Sequence, residues 1–176
     1  NAASFYNKLK TSSHFKGFSS AFLAGLAANA QAESGFVSNI GGDPLSFYKK
    51  RFNQGKISDK FYRNVEARAL GGKCSFGYFQ LNVCPRDGAG TALLNKKGID
   101  PVTEKEKALA AIVNEKNQFE YVAGVMKDLF GSRVETETDP FAAGDDICTK
   151  FERPVDAVAK GKQRGALAIK ISKKVS

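Results

Sequence analysis

Few residues in this chain have the right type and spacing to do chemistry, and most of them are carboxylates. Glu33 closes the stretch Gly25–Phe36, Gly-Leu-Ala-Ala-Asn-Ala-Gln-Ala-Glu-Ser-Gly-Phe. Phe18, Phe22, Leu26 and Asn29 recur at steps of three and four, and one more step of four reaches Glu33. On a helix these positions form one stripe. A carboxylate at the sheltered end of an apolar stripe is costly to ionise, so its pKa is expected to rise. That is what a carboxylic acid needs to donate a proton near neutral pH. Gly35 stops the helix and leaves the acid at a lip, with Ser34 beside it. The plain alternative is a solvated glutamate at a helix end. Asp43 follows in Gly41-Gly42-Asp43-Pro44, where a returning loop would bring it back toward Glu33. Its simpler reading is an N-cap, with Pro44 at the first helical position.

A second stretch, Lys73–Asn82, combines aromatic residues with Gly77, Gln80 and Asn82. It reads either as an irregular turn at a cleft or as a packed aromatic hairpin. In the first case Gly77 lets a ligand approach the backbone, and Gln80 offers it a donor and an acceptor. Glu115 lies between Ile112 and Phe119 on another apolar stripe and is expected at its edge. Metal chemistry has little support: the only histidine, His14, is far in sequence from Cys74, Cys84 and Cys148, so no zinc site and no cofactor is expected. The cysteines fit one disulfide plus a free thiol, or three buried thiols.

The elements that must position these residues are mainly helical. A short helix or lead-in over Asn1–Lys10 precedes a break at Thr11–His14, and Phe15–Glu33 is the first major helix. Gly35–Pro44 is a loop. Helices follow over Leu45–Phe52 and Ser58–Leu70, the second burying Phe61, Val65 and Leu70 and closed by Gly71-Gly72. Thr103 and Glu106 form a capping box that opens the longest helix, Glu104 to Phe130. An acidic loop over Gly131–Asp139 leads to a helix begun by Asp139-Pro140 and stopped by Pro154, with Ala143, Ile147 and Phe151 spaced by four. A Lys-rich amphipathic helix over Val155–Ile171 ends the chain.

With 176 residues the chain fits one domain with a substantial core. It begins at Asn1 rather than Met, as a processed chain or a piece of a longer protein would. No run is long and apolar enough to span a bilayer. The net charge of +9 favours anionic partners, and the basic residues are spread along the chain. No zinc-finger, basic-zipper or RNA-recognition signature accompanies them, so sequence-specific nucleic-acid binding is not expected.

Four segments, in order, bear a family resemblance. Ala28-Asn-Ala-Gln-Ala-Glu-Ser-Gly-Phe36 resembles the signature around the catalytic glutamate of phage tail lysozymes, and more loosely that of lytic transglycosylases and goose-type lysozymes. Ser75-Phe-Gly-Tyr-Phe-Gln80 resembles the segment in which a Gly and a Gln line the sugar cleft. Gln118-Phe-Glu-Tyr121 with Met126–Leu129 resembles the family's long helix, and Phe151-Glu-Arg-Pro154 its C-terminal motif. The chain departs from the pattern in the long spacer carrying Phe47–Leu70 and in Lys-Cys after Gly71-Gly72.

The resemblance implies a mainly α, lysozyme-like domain whose irregular loops or small β-element form the cleft. It implies cleavage of peptidoglycan between its sugars, with Glu33 as general acid. Ser34, Gly77, Tyr78, Gln80 and Asn82 become substrate-cleft positions, and Glu152 a motif position whose simplest role is an anchor paired with a Lys or Arg. Asp43 would activate water if its carboxyl lies about 6.5–9.5 Å from that of Glu33. Return of Glu33 as base would instead give anhydro-sugar ends, the transglycosylase outcome. Rival readings are a peptidase acting on the wall's crosslinks and a non-catalytic binding module. The resemblance also implies a virion-associated protein that works on the bacterial wall from outside or in the periplasm, with other tail proteins as partners.

Overall fold

Local signals set most element boundaries in the computed structural model, which describes residues 1–176. In chain order the elements are α1 Ala2–Thr11, α2 Ser20–Ser34, β1 Gly41–Pro44, α3 Leu45–Asn53, α4 Asp59–Arg68, β2 Lys73–Phe76 and β3 Leu81–Asn82. They continue with α5 Ala89–Lys96, α6 Lys105–Ile112, α7 Glu115–Phe130, α8 Arg133–Thr136, α9 Pro140–Ile147 and α10 Ala157–Val175. A 3-10 turn covers Ser13–Phe15 and a π-turn Cys148–Glu152. The chain is 65% helical with a small three-stranded sheet, the mainly α architecture expected. No helix is long and apolar enough to cross a membrane.

The residues form two compact units, 1–36 with 119–176, and 37–118. The first is built around α2, against which α1, α9 and α10 pack. Ser19 caps α2 by accepting from the Phe22 N–H at 3.1 Å, and Gly35 ends it in the left-handed region at φ 61°. The helix therefore starts five residues later than the sequence pattern suggests, because Gly17 at φ 86° turns the chain and Ser19 supplies the cap. Every residue from Ala21 to Ala30 is buried. The single apolar stripe is thus a correction: Phe18 precedes the helix, and α2 is enclosed on all sides, as a helix apolar all round must be.

In the second unit β1, β2 and β3 form an antiparallel sheet in that order. Gly71 and Gly72, both at positive φ (56° and 74°), make the two-residue turn between Leu70 and Lys73. Lys73–Asn82 is the hairpin rather than an irregular turn. Cys74 and Cys84 form a disulfide across it and Cys148 is a buried free thiol, which settles the cysteine alternatives. Phe61 is 39% exposed rather than buried, since Tyr62 and Val65 take the inner face of α4. It lines an open cavity of about 610 Å³ with Lys60, Arg63 and Arg86.

The expected long helix is two helices. Asn114 breaks it by accepting from the Asn117 N–H at 2.9 Å, which starts α7 afresh. The capping box at Thr103 is not formed. Glu104 instead reaches back to the Asp100 N–H at 3.0 Å, and Asp100 accepts from the Val102 N–H at 2.9 Å. Asp139 does cap α9, accepting from Phe141 N–H at 2.9 Å, but that helix ends at Ile147 and the π-turn carries Phe151 and Glu152.

Candidate active site

Glu33 stands one turn past Asn29 near the end of α2, where the helix leaves the core. Its side chain is 21% exposed, and its Oε1 accepts from Arg164 Nη2 at 3.1 Å. The neighbour is thus a guanidinium rather than the greasy wall the stripe suggested. Arg164 sits on α10 with only 12% of its side chain exposed.

Close helix packing brings these two residues together. A Cβ on Gly25 of α2 would stand 2.8 Å from Ala143 and Gly144 of α9, and a Cβ on Gly144 would stand 2.6 Å from the Arg164 carbonyl oxygen. The fully buried Asn29 stitches α2 to α9, donating from Nδ2 to the Gly25 carbonyl at 2.9 Å and the Gly144 carbonyl at 3.1 Å. Arg164 is the residue that sequence reasoning missed. Its signal was Gly161 and Gly165, four apart, which mark the face of α10 pressed against its neighbours.

Glu152 lies on the π-turn between α9 and α10. Its Oε1 is enclosed and has no hydrogen-bond partner, and the same holds for Arg164 Nε. Burial pushes the Glu152 carboxyl well above the usual range; the charge of Glu33 adds to the rise and that of Arg164 opposes it. The acid whose carboxyl is raised by desolvation is therefore Glu152 rather than one on the α2 stripe. Ser34, in contrast, donates its hydroxyl to the Ala30 carbonyl of its own helix at 2.9 Å and is buried.

The remaining candidates lie in the second unit. Asp43, at φ 45° on β1, is exposed, and its Oδ2 accepts from the Ser75 hydroxyl at 2.6 Å. It does not cap α3: Pro44 holds that place without a side-chain bond, so the N-cap reading is corrected. Asn82 donates to the Tyr48 phenol at 2.9 Å and accepts from the Cys84 N–H at 3.0 Å. Burial raises the Tyr48 pKa, the bond from Asn82 and the charge of Arg51 work against the rise, and the nearby Asp43 charge adds to it. An exposed carboxylate among two hydroxyls and an amide can hold sugar hydroxyls or polarise a water.

Gly77, Tyr78 and Gln80 serve the framework. Gly77, at φ 85°, leaves room for the Gln118 carboxamide, where a Cβ would collide. Gln118 is fully buried; it accepts from the Tyr78 N–H at 2.9 Å and donates to the Ser38 and Ile112 carbonyls at 2.9 and 3.0 Å. Tyr78 is buried, with its hydroxyl on Glu115 at 2.5 Å, which gives that carboxylate an inward partner rather than a place at the edge. Gln80 donates to the Gly77 carbonyl at 3.0 Å and the Ile40 carbonyl at 3.3 Å. In this conformation its donors brace the hairpin.

The family model for phage tail lysozyme matches residues 1–175. The chain belongs to the phage tail lysozyme family. Neither a curated relative nor a solved structure matches it. Family membership makes the chain a lysozyme-like, peptidoglycan-degrading protein of a bacteriophage tail, with peptidoglycan as its substrate. It also implies a virion-associated protein acting on the cell wall.

Proposed function

We propose that this tail lysozyme cleaves the glycan strand of peptidoglycan as a glycosidase, with Glu33 as general acid. Glu33 donates its proton to the bridging glycosidic oxygen as the bond to an oxocarbenium-like sugar breaks. The observation that carries this reading is the placement of Glu33. It is a partly exposed carboxylate at the end of an otherwise enclosed helix, held in orientation by Arg164. Fixed geometry of this kind is what positions a proton donor at one bond.

Asp43 is the proposed second carboxylate, activating the water that completes hydrolysis. The exposed Asp43–Ser75 pair with Tyr48 and Asn82 supports a role in holding water or sugar hydroxyls. The +9 surface draws the protein to the anionic wall, so association weakens as salt rises.

Glu33→Gln tests the assignment: lysis is lost while sedimentation with purified cell walls is kept. Full lysis by that variant removes Glu33 from the chemistry. Mass spectrometry of digests separates the outcomes, since anhydro ends, one water lighter than reducing ends, mark a transglycosylase. New amino groups without new sugar ends mark a peptidase.

A further inference from the structure

The open cavity of about 610 Å³ lies between α4 and the loop that follows β3, and it contains none of the candidate site residues. It belongs wholly to the second unit. One wall comes from the spacer over Phe47–Leu70, where the chain departs from the family pattern.

Both walls are fixed from within. On the first, Ser58 caps α4 by accepting from the Phe61 N–H at 3.1 Å. Lys60 and Asn64, four apart, then share a helix face beside Phe61. The Arg63 guanidinium lies 5.9 and 5.5 Å from the Phe52 and Tyr62 ring centres, and it meets Asp59 and Glu66 at 3.4 Å each. On the second wall the Gly88 N–H donates to the Pro85 carbonyl at 3.1 Å, a turn with Arg86 and Asp87 at its corner. The Cys74–Cys84 disulfide anchors that turn, and the Thr91 hydroxyl donates to the Pro85 carbonyl at 2.6 Å. Asn64 joins the walls: its Nδ2 donates to the Cys84 carbonyl at 3.3 Å and its Oδ1 accepts from Arg86 Nε at 3.4 Å. A pocket formed in advance loses less entropy when it is filled.

The lining selects a ligand by its chemistry. Lys60, Arg63 and Arg86 are exposed cations, and Lys60 joins no ion pair. Together they suit a carboxylate. The exposed Phe61 ring offers an apolar contact. Asn64 keeps a second N–H and a lone pair on Oδ1, which are what an amide group needs. Asp87, beside the cations, repels a dense polyphosphate but accepts an ammonium. Carboxylate, amide, methyl group and amine occur together in the peptides that hang from a peptidoglycan strand. A bare glycan lacks the amine, and a phosphate polymer lacks the carboxylate and the amide.

We propose that this cavity is an accessory binding site for the acidic peptide stem of peptidoglycan. The stem carboxylate sits on Lys60, Arg63 and Arg86, its ammonium faces Asp87, and a side-chain methyl lies on Phe61. No bond is made or broken there. The site holds the protein on uncut wall and favours strands that carry peptides over bare ones. It rests on peptidoglycan as the substrate and not on Glu33 as the acid.

NMR titration of the side-chain signals of Phe61, Asn64 and Arg86 tests this. Four probes are taken to millimolar concentration: a disaccharide-tetrapeptide from purified wall, the free tetrapeptide, the disaccharide without peptide, and a glycerol phosphate oligomer. The first two are expected to shift these signals saturably, and the last two are not. Equal shifts with the bare disaccharide, or shifts with the phosphate oligomer alone, overturn the assignment, as does silence with the tetrapeptide.

Lys60→Gln with Arg86→Gln is expected to weaken tetrapeptide binding about tenfold, since each exposed charge pair carries up to about fivefold. Lys173→Gln with Lys174→Gln removes the same charge from the end of α10 and is expected to leave the Kd within about twofold. Equal weakening by both pairs reduces the site to unspecific attraction and overturns it. Should the first pair lower the thermal midpoint, Lys60→Gln alone, an exposed side chain, is read instead, with a loss of about threefold expected and no loss refuting the site. Binding is measured without turnover, so full lysis by Glu33→Gln removes the general acid and leaves this site standing.

Discussion

Gly144→Ala tests whether close helix packing sets the geometry of the Glu33–Arg164 pair. A Cβ on Gly144 would stand 2.6 Å from the Arg164 carbonyl oxygen, 2.9 Å from its carbonyl carbon and 3.0 Å from Ala168 Cβ. Ordinary contact begins near 3.4 Å, so α10 must retreat by about 0.8 Å, the difference between 3.4 and 2.6 Å. The obstacle is backbone and cannot rotate away. If the whole retreat fell along the 3.1 Å contact between Arg164 Nη2 and Glu33 Oε1, the pair would stretch to at most about 3.9 Å, beyond hydrogen-bond range. The Asn29 bond to the Gly144 carbonyl is disturbed as well. Overpacking of this kind costs about 1–3 kcal/mol. With Glu33 as the proposed general acid, loosening its partner by that distance is expected to lower activity by up to about 100-fold. Urea unfolding measures the first quantity and wall-lysis turbidity the second. The control is Gly124→Ala in α7, where an added Cβ meets nothing within 4 Å. There alanine raises stability by up to about 1 kcal/mol through helix propensity. If Gly144→Ala unfolds within about 0.5 kcal/mol of the parent and lyses walls at full rate, the packing argument is wrong.

Gln118→Leu removes the bonds to the Tyr78 N–H and the Ser38 and Ile112 carbonyls, so the second unit loses about 3 kcal/mol or more, read as a lower urea midpoint with lost protection of the Tyr78 amide. Acid stability is expected to depend on Glu137. Burial opposes its ionisation, but the bonds from Arg133 and from the Thr138 and Asp139 backbone N–H groups outweigh this and hold its carboxyl below the usual range. Its stabilisation is therefore complete above the ordinary glutamate value of about 4.3 and is lost as pH falls through the depressed value in the folded state. Glu137→Gln lowers the thermal midpoint at neutral pH and flattens the fall below pH 4; an equal fall in both proteins rules this source out. Glu152 has the opposite sign: its raised value adds stability that is full at low pH and is lost as pH rises through the folded-state value.

Much of the architecture follows from short-range rules. Ser58 caps α4, Asp139-Pro140 starts α9, Gly35 ends α2 and Gly71-Gly72 turns the chain, because each is a local hydrogen bond or a dihedral preference. Glu33 is visible in the same way, as a carboxylate on the last turn of an apolar helix, and Phe151-Glu-Arg-Pro154 stands out as a motif. What surrounds them depends on residues brought together from distant parts of the chain. No pattern around Glu33 announces Arg164, 131 positions away, and none around Gly77 says that its open space is filled by Gln118 rather than by substrate. Asn114 starts a second helix inside a stretch that pattern reads as one, and Glu104 takes the Asp100 N–H in place of the Thr103 capping box, where local preferences are nearly balanced. The sequence alone determined where helices can begin and end and which carboxylates stand at those ends. Only the tertiary structure decided which of those carboxylates meets a cation and which is buried without a partner, because charge pairing and desolvation depend on distances through space that chain order does not encode.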